Sequence, residues 1–251
     1  MPKCLFLSRP RDERLIDWNG KLGLHGRFRS HVVRIGKEGA PVLVIDDFLG
    51  NPQLLIDHAA SQASFVPGDA AYPGLRAAIP EIYSFALRTF LGELICKPFD
   101  LGDSAVVGGA CGYALVTTPP GRLQLVQRMP HFDSTNPRQI AILHYLCPAE
   151  HGGTSFYRHR RTGYEMINRQ RIAGYTASVK EELRMQGPPP ARYIDGDDSM
   201  FERTAEFEAA FNRVLVYRSV NLHSAAIRPD FRFDADPRSG RLTVNTLFVY
   251  R

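Results

Sequence analysis

The stretch "QIAILHYLCPAEHGGTSFYR" runs from Gln139 to Arg158. Its first half is an apolar run of strand length. Pro148 and the Gly152-Gly153 pair then interrupt it, and a second short run follows with Thr154, Phe156 and Tyr157. Two short segments rich in β-branched and aromatic residues, split by Pro and Gly, read as two strands joined by a turn. The same texture extends in both directions from about Ser104: "SAVVGGACGYALVTT", "GRLQLVQRM", "RVLVYRSV" and "RLTVNTLFVY" are all strand-like. One helical insert, from about Gly163 to Arg184, interrupts them, and a polar segment, Tyr193 to Asn212, follows the triple proline at Pro188 to Pro190.

Upstream the texture differs. "APVLVIDDFLG" (Ala40 to Gly50) reads as a buried strand running into a turn. "NPQLLIDHAASQ" starts a helix, with Asn51 as N-cap and Pro52 at the first position. "IPEIYSFALRTFLGELI" carries apolar residues at helical spacing. The order predicts a mainly β protein with flanking helices (α+β), a helix-flanked sandwich or jelly roll. Residues 1–103 form a lead-in of strands and supporting helices, and residues 104–251 form the β core.

The chain has 251 residues, 44% of them hydrophobic, which suffices for one sizeable core. The apolar run in "MPKCLFLSRPRDERL" is too short for a signal segment, and no run approaches membrane-spanning length, so a cytoplasmic protein is expected. Cys4, Cys96, Cys111 and Cys147 are far apart and form no CxxC, which suits reduced thiols. A net charge of +5 is too small to demand a nucleic-acid partner. The densest basic run, "YRHRRTG" with Arg158, Arg160 and Arg161, is either a solvated loop or an anion-binding rim.

The chemistry starts at "QRMPHFDSTNP", where His131 and Asp133 stand two apart. On an extended segment they point the same way and can share one metal ion. Two His and one carboxylate on one face of an ion, with the other face open, is the ligand set of non-haem Fe(II) oxygenases. The pair alone proves nothing: 8 His and 26 acidic residues in 251 supply about one such pair by chance. What raises it is the context. "FNRVLVYRSVNLHSAAI" brings an apolar strand into His223, and "SGRLTVNTLFVYR" opens a later strand with Arg241, whose guanidinium can grip a carboxylate with two parallel hydrogen bonds.

These segments resemble the 2-oxoglutarate- and Fe(II)-dependent oxygenases, in particular their prolyl-hydroxylase-like branch. "PHFD" resembles the His-x-Asp segment, "AILHYLCPAEHGGTSFYR" the next two strands, "NRVLVYRSVNLHS" the approach to the distal His, and "GRLTVNTLFVY" the strand that binds the far carboxylate of 2-oxoglutarate. "PVLVIDDFLGNPQLL" resembles the branch's lead-in. The resemblance implies a double-stranded β-helix. It implies His131, Asp133 and His223 as the iron ligands, Arg241 as the 2-oxoglutarate anchor, and His144 as a second contact to that co-substrate. Arg241 lies 18 residues beyond His223, more than the branch usually shows, so Arg228, Arg232 and Arg238 in "RPDFRFDADPRS" are rival anchors. The implied activity is a dioxygenase that uses Fe(II), 2-oxoglutarate and dioxygen to hydroxylate a peptide, amino acid or small metabolite. Its pocket walls include "AAYPGLRA" and the insert after Gly163. Two further readings remain: a nucleic-acid demethylase of the same chemistry, and a non-enzymatic metal-binding jelly-roll module. Release of formaldehyde would mark the first, and metal binding without turnover the second.

Overall fold

The computed structural model describes residues 22–69 and 71–251. In chain order, β1 (Arg29–Ile35) and β2 (Ala40–Asp46) form a hairpin, followed by α1 (Gln53–Ser61). A short hairpin of β3 (Val66–Pro67) and β4 (Gly74–Ala78) leads to α2 (Glu81–Cys96) and the long strand β5 (Val106–Val116). Then come β6 (Gln139–Tyr145), β7 (Thr154–His159), α3 (Ile172–Gln186), β8 (Phe201–Phe207), β9 (Val214–Arg218), β10 (His223–Ala225) and β11 (Leu242–Tyr250).

The strands form two antiparallel sheets. The larger has the order β1-β2-β9-β6-β11-β5-β4-β3, and the smaller β10-β7-β8. The lead-in strands thus extend both ends of a sheet whose centre comes from the C-terminal part of the chain. β6 and β9 read as nearly unbroken apolar runs because both of their faces are covered. On the outer face, Leu55 of α1 and Leu87 and Leu91 of α2 pack with Ile140, Ile142, Val214 and Val216. On the inner face, Ala141, Leu143, Tyr145, Leu215 and Tyr217 pack with Phe156 of the smaller sheet. Each fully buried Leu or Ile contributes roughly 2 kcal/mol, so these central strands hold the two layers together.

The turn between β6 and β7 shows why glycine stands twice there. Gly152 has φ +80°, and a Cβ on Gly153 would sit 1.8 Å from the carbonyl oxygen of Phe207. Glycine at 153 lets β7 close against the end of β8.

The mainly β architecture with flanking helices is as the sequence reads, but several local expectations are corrected. "GRLQLVQRM" is not a strand. It forms two 3-10 turns, Pro120–Arg122 and Leu125–Arg128, the second closed by reciprocal hydrogen bonds between Gln124 and Gln127. The polar segment after the triple proline contains β8, which pairs with β7. The insert's helix begins at Ile172, not near Gly163. Pro52 takes the cap position of α1 and Asn51 makes no capping bond there. The N-terminal stretch with Cys4 lies outside the described residues; Cys96, Cys111 and Cys147 are free thiols. Among the described residues no helix is long and apolar enough to cross a membrane.

Candidate metal centre

His131 and His223 are held by each other's backbones. The His131 N–H donates to His223 O at 2.9 Å, and the His223 N–H donates to His131 O at 2.8 Å. This isolated antiparallel bridge sets the two rings side by side, with centroids 4.3 Å apart. The extended backbone at 131–133 returns Asp133 to the same side, and its N–H is fastened to Ser219 O at 2.8 Å. Asp133 Oδ1 lies 3.8 Å from His131 Nε2, and Oδ2 lies 3.8 Å from His223 Nε2. One ligand atom from each of the three residues falls within 4.8 Å of the others. Donors about 2.1 Å from one shared ion lie at most about 4.2 Å apart, so a small inward movement would seat an ion.

The tautomer of His223 suits that role. Its Nδ1 lies 2.9 Å from Asn221 O, which can only accept, so Nδ1 carries the proton and the Nε2 lone pair faces Asp133. Tyr217 and Phe156 wall the ring, with centroids at 4.8 and 6.3 Å. His131 is recessed among protein atoms and stands beside His223. Both hold its pKa down, to about 4, although its side chain keeps 46% of its surface open along the cleft. The ring is therefore neutral at pH 7, as a ligand must be.

Arg241 is 3% exposed. Its Nε donates to Gly152 O at 3.2 Å and its Nη2 to Gly153 O at 2.8 Å, while no acceptor for Nη1 is found among the described residues. Its guanidinium lies 5.6 Å from the centre of the Tyr145 ring. Tyr217 links it to the cluster, because the Tyr217 hydroxyl feels the charges of both Asp133 and Arg241. Burial, then Asp133, raises that hydroxyl well above the usual phenol range, so it stays protonated as a donor. The rival arginines Arg228, Arg232 and Arg238 are exposed on the loop before β11.

His144 is displaced from this neighbourhood. It lies on the opposite face of β6, under the helices, where Nδ1 meets Tyr83 Oη at 2.9 Å and Nε2 meets Asn212 Oδ1 at 3.1 Å. Phe48 packs edge-on against the ring at 5.4 Å. Both nitrogens are engaged and neither faces Arg241. Its chain neighbour Tyr145 takes the inward position, since side chains alternate along a strand. Tyr145 and Tyr217 were missed by sequence reading, and period-two register along β6 is the signal that would have found the first.

Two of the three arginines in the basic run at the end of β7 are already paired. Arg158 is neutralised by Glu165 at 2.9 Å and Glu202 at 3.1 Å, and Arg160 pairs with Asp197 at 2.7 Å. A wide recess of about 920 Å³, lined by Arg88, Glu93, Lys97 and Tyr250 among others, lies beside α2 on the far side of the large sheet. Among the described residues only His131, Asp133 and His223 form a metal donor set, so chemistry selects the His-Asp-His cleft over this recess.

Fold and site together define a two-sheet antiparallel protein with a three-residue cluster suited to a metal ion. The chain belongs to the family of unknown function DUF6445, whose model matches residues 26–248. No curated protein matches its sequence. Among solved structures it is similar to an N-substituted L-amino acid dioxygenase from Burkholderia ambifaria AMMD, with 12% identity over 89% of this chain and 94% of that one and a TM-score of 0.39. It is also similar to HygX from Streptomyces hygroscopicus, solved with nickel and 2-oxoglutarate bound, at 11% identity over 85% and 83% of the chains and a TM-score of 0.45. A third is AviO1 from Streptomyces viridochromogenes Tue57, at 14% identity over 92% and 90% and a TM-score of 0.39.

Proposed function

We propose that this protein is an Fe(II)- and 2-oxoglutarate-dependent dioxygenase that hydroxylates a peptide, amino acid or small metabolite. The observation that carries the reading is the convergence of His131, Asp133 and His223 within 4.8 Å on the inner side of the sheets, together with a buried Arg241. The run β5-β11-β6-β9 within the large sheet, facing β10-β7-β8, supports a double-stranded β-helix, with residues 104–251 as its core.

The donor set fits the ion. Two imidazoles and one carboxylate suit Fe(II), whereas a structural zinc site would use four ligands, commonly with thiolates. Three protein ligands on one side leave positions for a co-substrate. When bound, iron supplies the oxidation by dioxygen that is coupled to decarboxylation of 2-oxoglutarate.

The chain's own residues do the rest. His131, Asp133 and His223 hold the ion. Arg241 keeps two of its donors on the Gly152 and Gly153 carbonyls, which lock its orientation, and presents Nη1 to the far carboxylate of 2-oxoglutarate. The protonated hydroxyl of Tyr217 offers a donor near both Asp133 and Arg241. Tyr145, whose hydroxyl is bound to Thr154 Oγ1 at 2.6 Å, forms an apolar wall under the guanidinium. Burial of Arg241, Tyr145 and Tyr217 excludes water from their part of the inner face.

Anaerobic addition of Fe(II) and 2-oxoglutarate should develop a visible metal-to-ligand charge-transfer band. No band in the wild type, or an unchanged band in His131→Ala, would overturn the reading.

A further inference from the structure

A second, half-buried cation faces the same interior. Arg76 of β4 stands opposite Ala114 of β5, Ala114 opposite Thr243 of β11, and Thr243 opposite Tyr145 of β6. Directly opposed residues share a sheet face, and residues two apart on one strand do too. Arg76 therefore projects to the side that carries Tyr145 and Arg241. Two strand spacings, roughly 10 Å, separate its backbone from Thr243, and the Tyr72 hydroxyl feels the charges of both Arg241 and Arg76.

Arg76 has no ionic partner among the described residues. Its Nε is shut off from solvent and makes no hydrogen bond. Its guanidinium lies 4.3 Å from the centre of the Tyr72 ring, and the Tyr72 hydroxyl is also buried and unbonded. Asp69, the acid of the same hairpin, is occupied: its Oδ1 accepts from the backbone N–H groups of Ala71 and Tyr72. Two buried donors left without acceptors are costly unless a ligand completes them. The charge of Arg76 also reaches His131, which locates it near the metal cluster. Tyr72 packs on an apolar cluster that includes Val116, Leu123, Tyr193, Ile227 and Phe231.

We infer that Arg76 and Tyr72 bind the carboxylate of the primary substrate, a small organic monoacid with an apolar body. The inference rests on the dioxygenase reading for its orientation toward the metal. One planar guanidinium with one phenol matches a carboxylate's two oxygens. The partly exposed members of the cluster beside Tyr72, Ala225 and Phe233, border the rest of the molecule. Burial pushes the Tyr72 hydroxyl up to about 12, so it remains a donor at neutral pH.

The test uses benzoate, phenylacetate, 3-phenylpropanoate and N-acetyl-L-phenylalanine, each against its primary amide. Binding is measured by calorimetry on the metal-free protein and on protein loaded anaerobically with Fe(II) and 2-oxoglutarate. At least one acid should bind and its amide should not. Arg76→Gln should weaken that acid by roughly ten- to a hundred-fold, the scale of a hydrogen bond to a charged group, and Tyr72→Phe by less. Affinity for 2-oxoglutarate should stay within twofold in both variants. Equal binding of acid and amide, binding of none of the acids, or retained acid binding in Arg76→Gln would overturn the proposal. A loss of 2-oxoglutarate binding in Arg76→Gln would overturn it too, by making Arg76 the co-substrate anchor. Absence of the charge-transfer band with intact acid binding would sink the dioxygenase reading and leave the acid site standing.

Discussion

His144 makes a sharp test of which face of β6 looks inward. Asn212 Nδ2 donates to Leu49 O at 2.8 Å, and its Oδ1 accepts from Leu49 N–H at 3.0 Å. That oxygen can only accept from His144 as well, so Nε2 carries the ring proton and Nδ1 accepts from the Tyr83 hydroxyl. A second proton on Nδ1 would set two donors against each other in the core. Burial, partly offset by the Asn212 bond, pushes the pKa of His144 down to about 4. In the unfolded chain it is about 6.5. The depressed group is a base, so the unfolded state takes up the proton first as pH falls. Stability is complete above about pH 6.5 and is lost between there and about pH 4. From pH 7.5 to 4.5 the loss is about 2–3 kcal/mol. His144→Gln keeps a donor and an acceptor but does not titrate. Urea unfolding of the metal-free protein, followed by far-ultraviolet circular dichroism at both pH values, should show the wild type losing about 2–3 kcal/mol more than the variant. Every other ionisable group is common to both proteins and cancels in the difference. Parallel losses would refute the reasoning, as would a weakened 2-oxoglutarate affinity in the variant, which would return His144 to the site.

Arg241→Gln should orphan the carbonyls of Gly152 and Gly153, lowering stability by about 2–4 kcal/mol in urea unfolding, and should weaken 2-oxoglutarate more than Fe(II) in anaerobic titration. Asp133→Ala should abolish tight Fe(II) binding in calorimetry while leaving the unfolding midpoint of the metal-free protein nearly unchanged, because this carboxylate is partly exposed and makes no close hydrogen bond among the described residues. Glu182→Ala should strip the buried His159 Nε2 of its partner at 2.7 Å, costing about 1–3 kcal/mol and raising protease sensitivity at α3 first. Gly153→Ala should cost about 1–3 kcal/mol or more, since its Cβ would meet backbone at 1.8 Å, and a wild-type melting temperature would contradict the tight turn.

Much of the site is legible in sequence because its residues sit at strand ends beside strong local signals. His131 and Asp133 follow Pro130, and His223 and Arg241 flank apolar runs that can only be strands. Burial is what favours Arg241 as the proposed anchor: it is 3% exposed while Arg228, Arg232 and Arg238 lie open on the loop. "GRLQLVQRM" misled because alternating apolar residues also fit a 3-10 turn whose hydrogen bonds are closed by Gln side chains. β8 was hidden because its residues are only partly buried, so its segment reads as polar.

By itself, then, the sequence determined a mainly β chain with early helices and a His-x-Asp pair with a later His at strand-compatible spacing. Local preference and hydrophobic pattern suffice for that. It left open which side of β6 faces the chemistry, because a central strand covered on both faces shows no alternation, so His144 and Tyr145 look equally buried. Tertiary structure decided that question through sheet register. It also brought Arg76 into one interior with Tyr145 and Arg241, across three strands that chain order keeps far apart. Strand pairing is a long-range contact, and no local pattern encodes it.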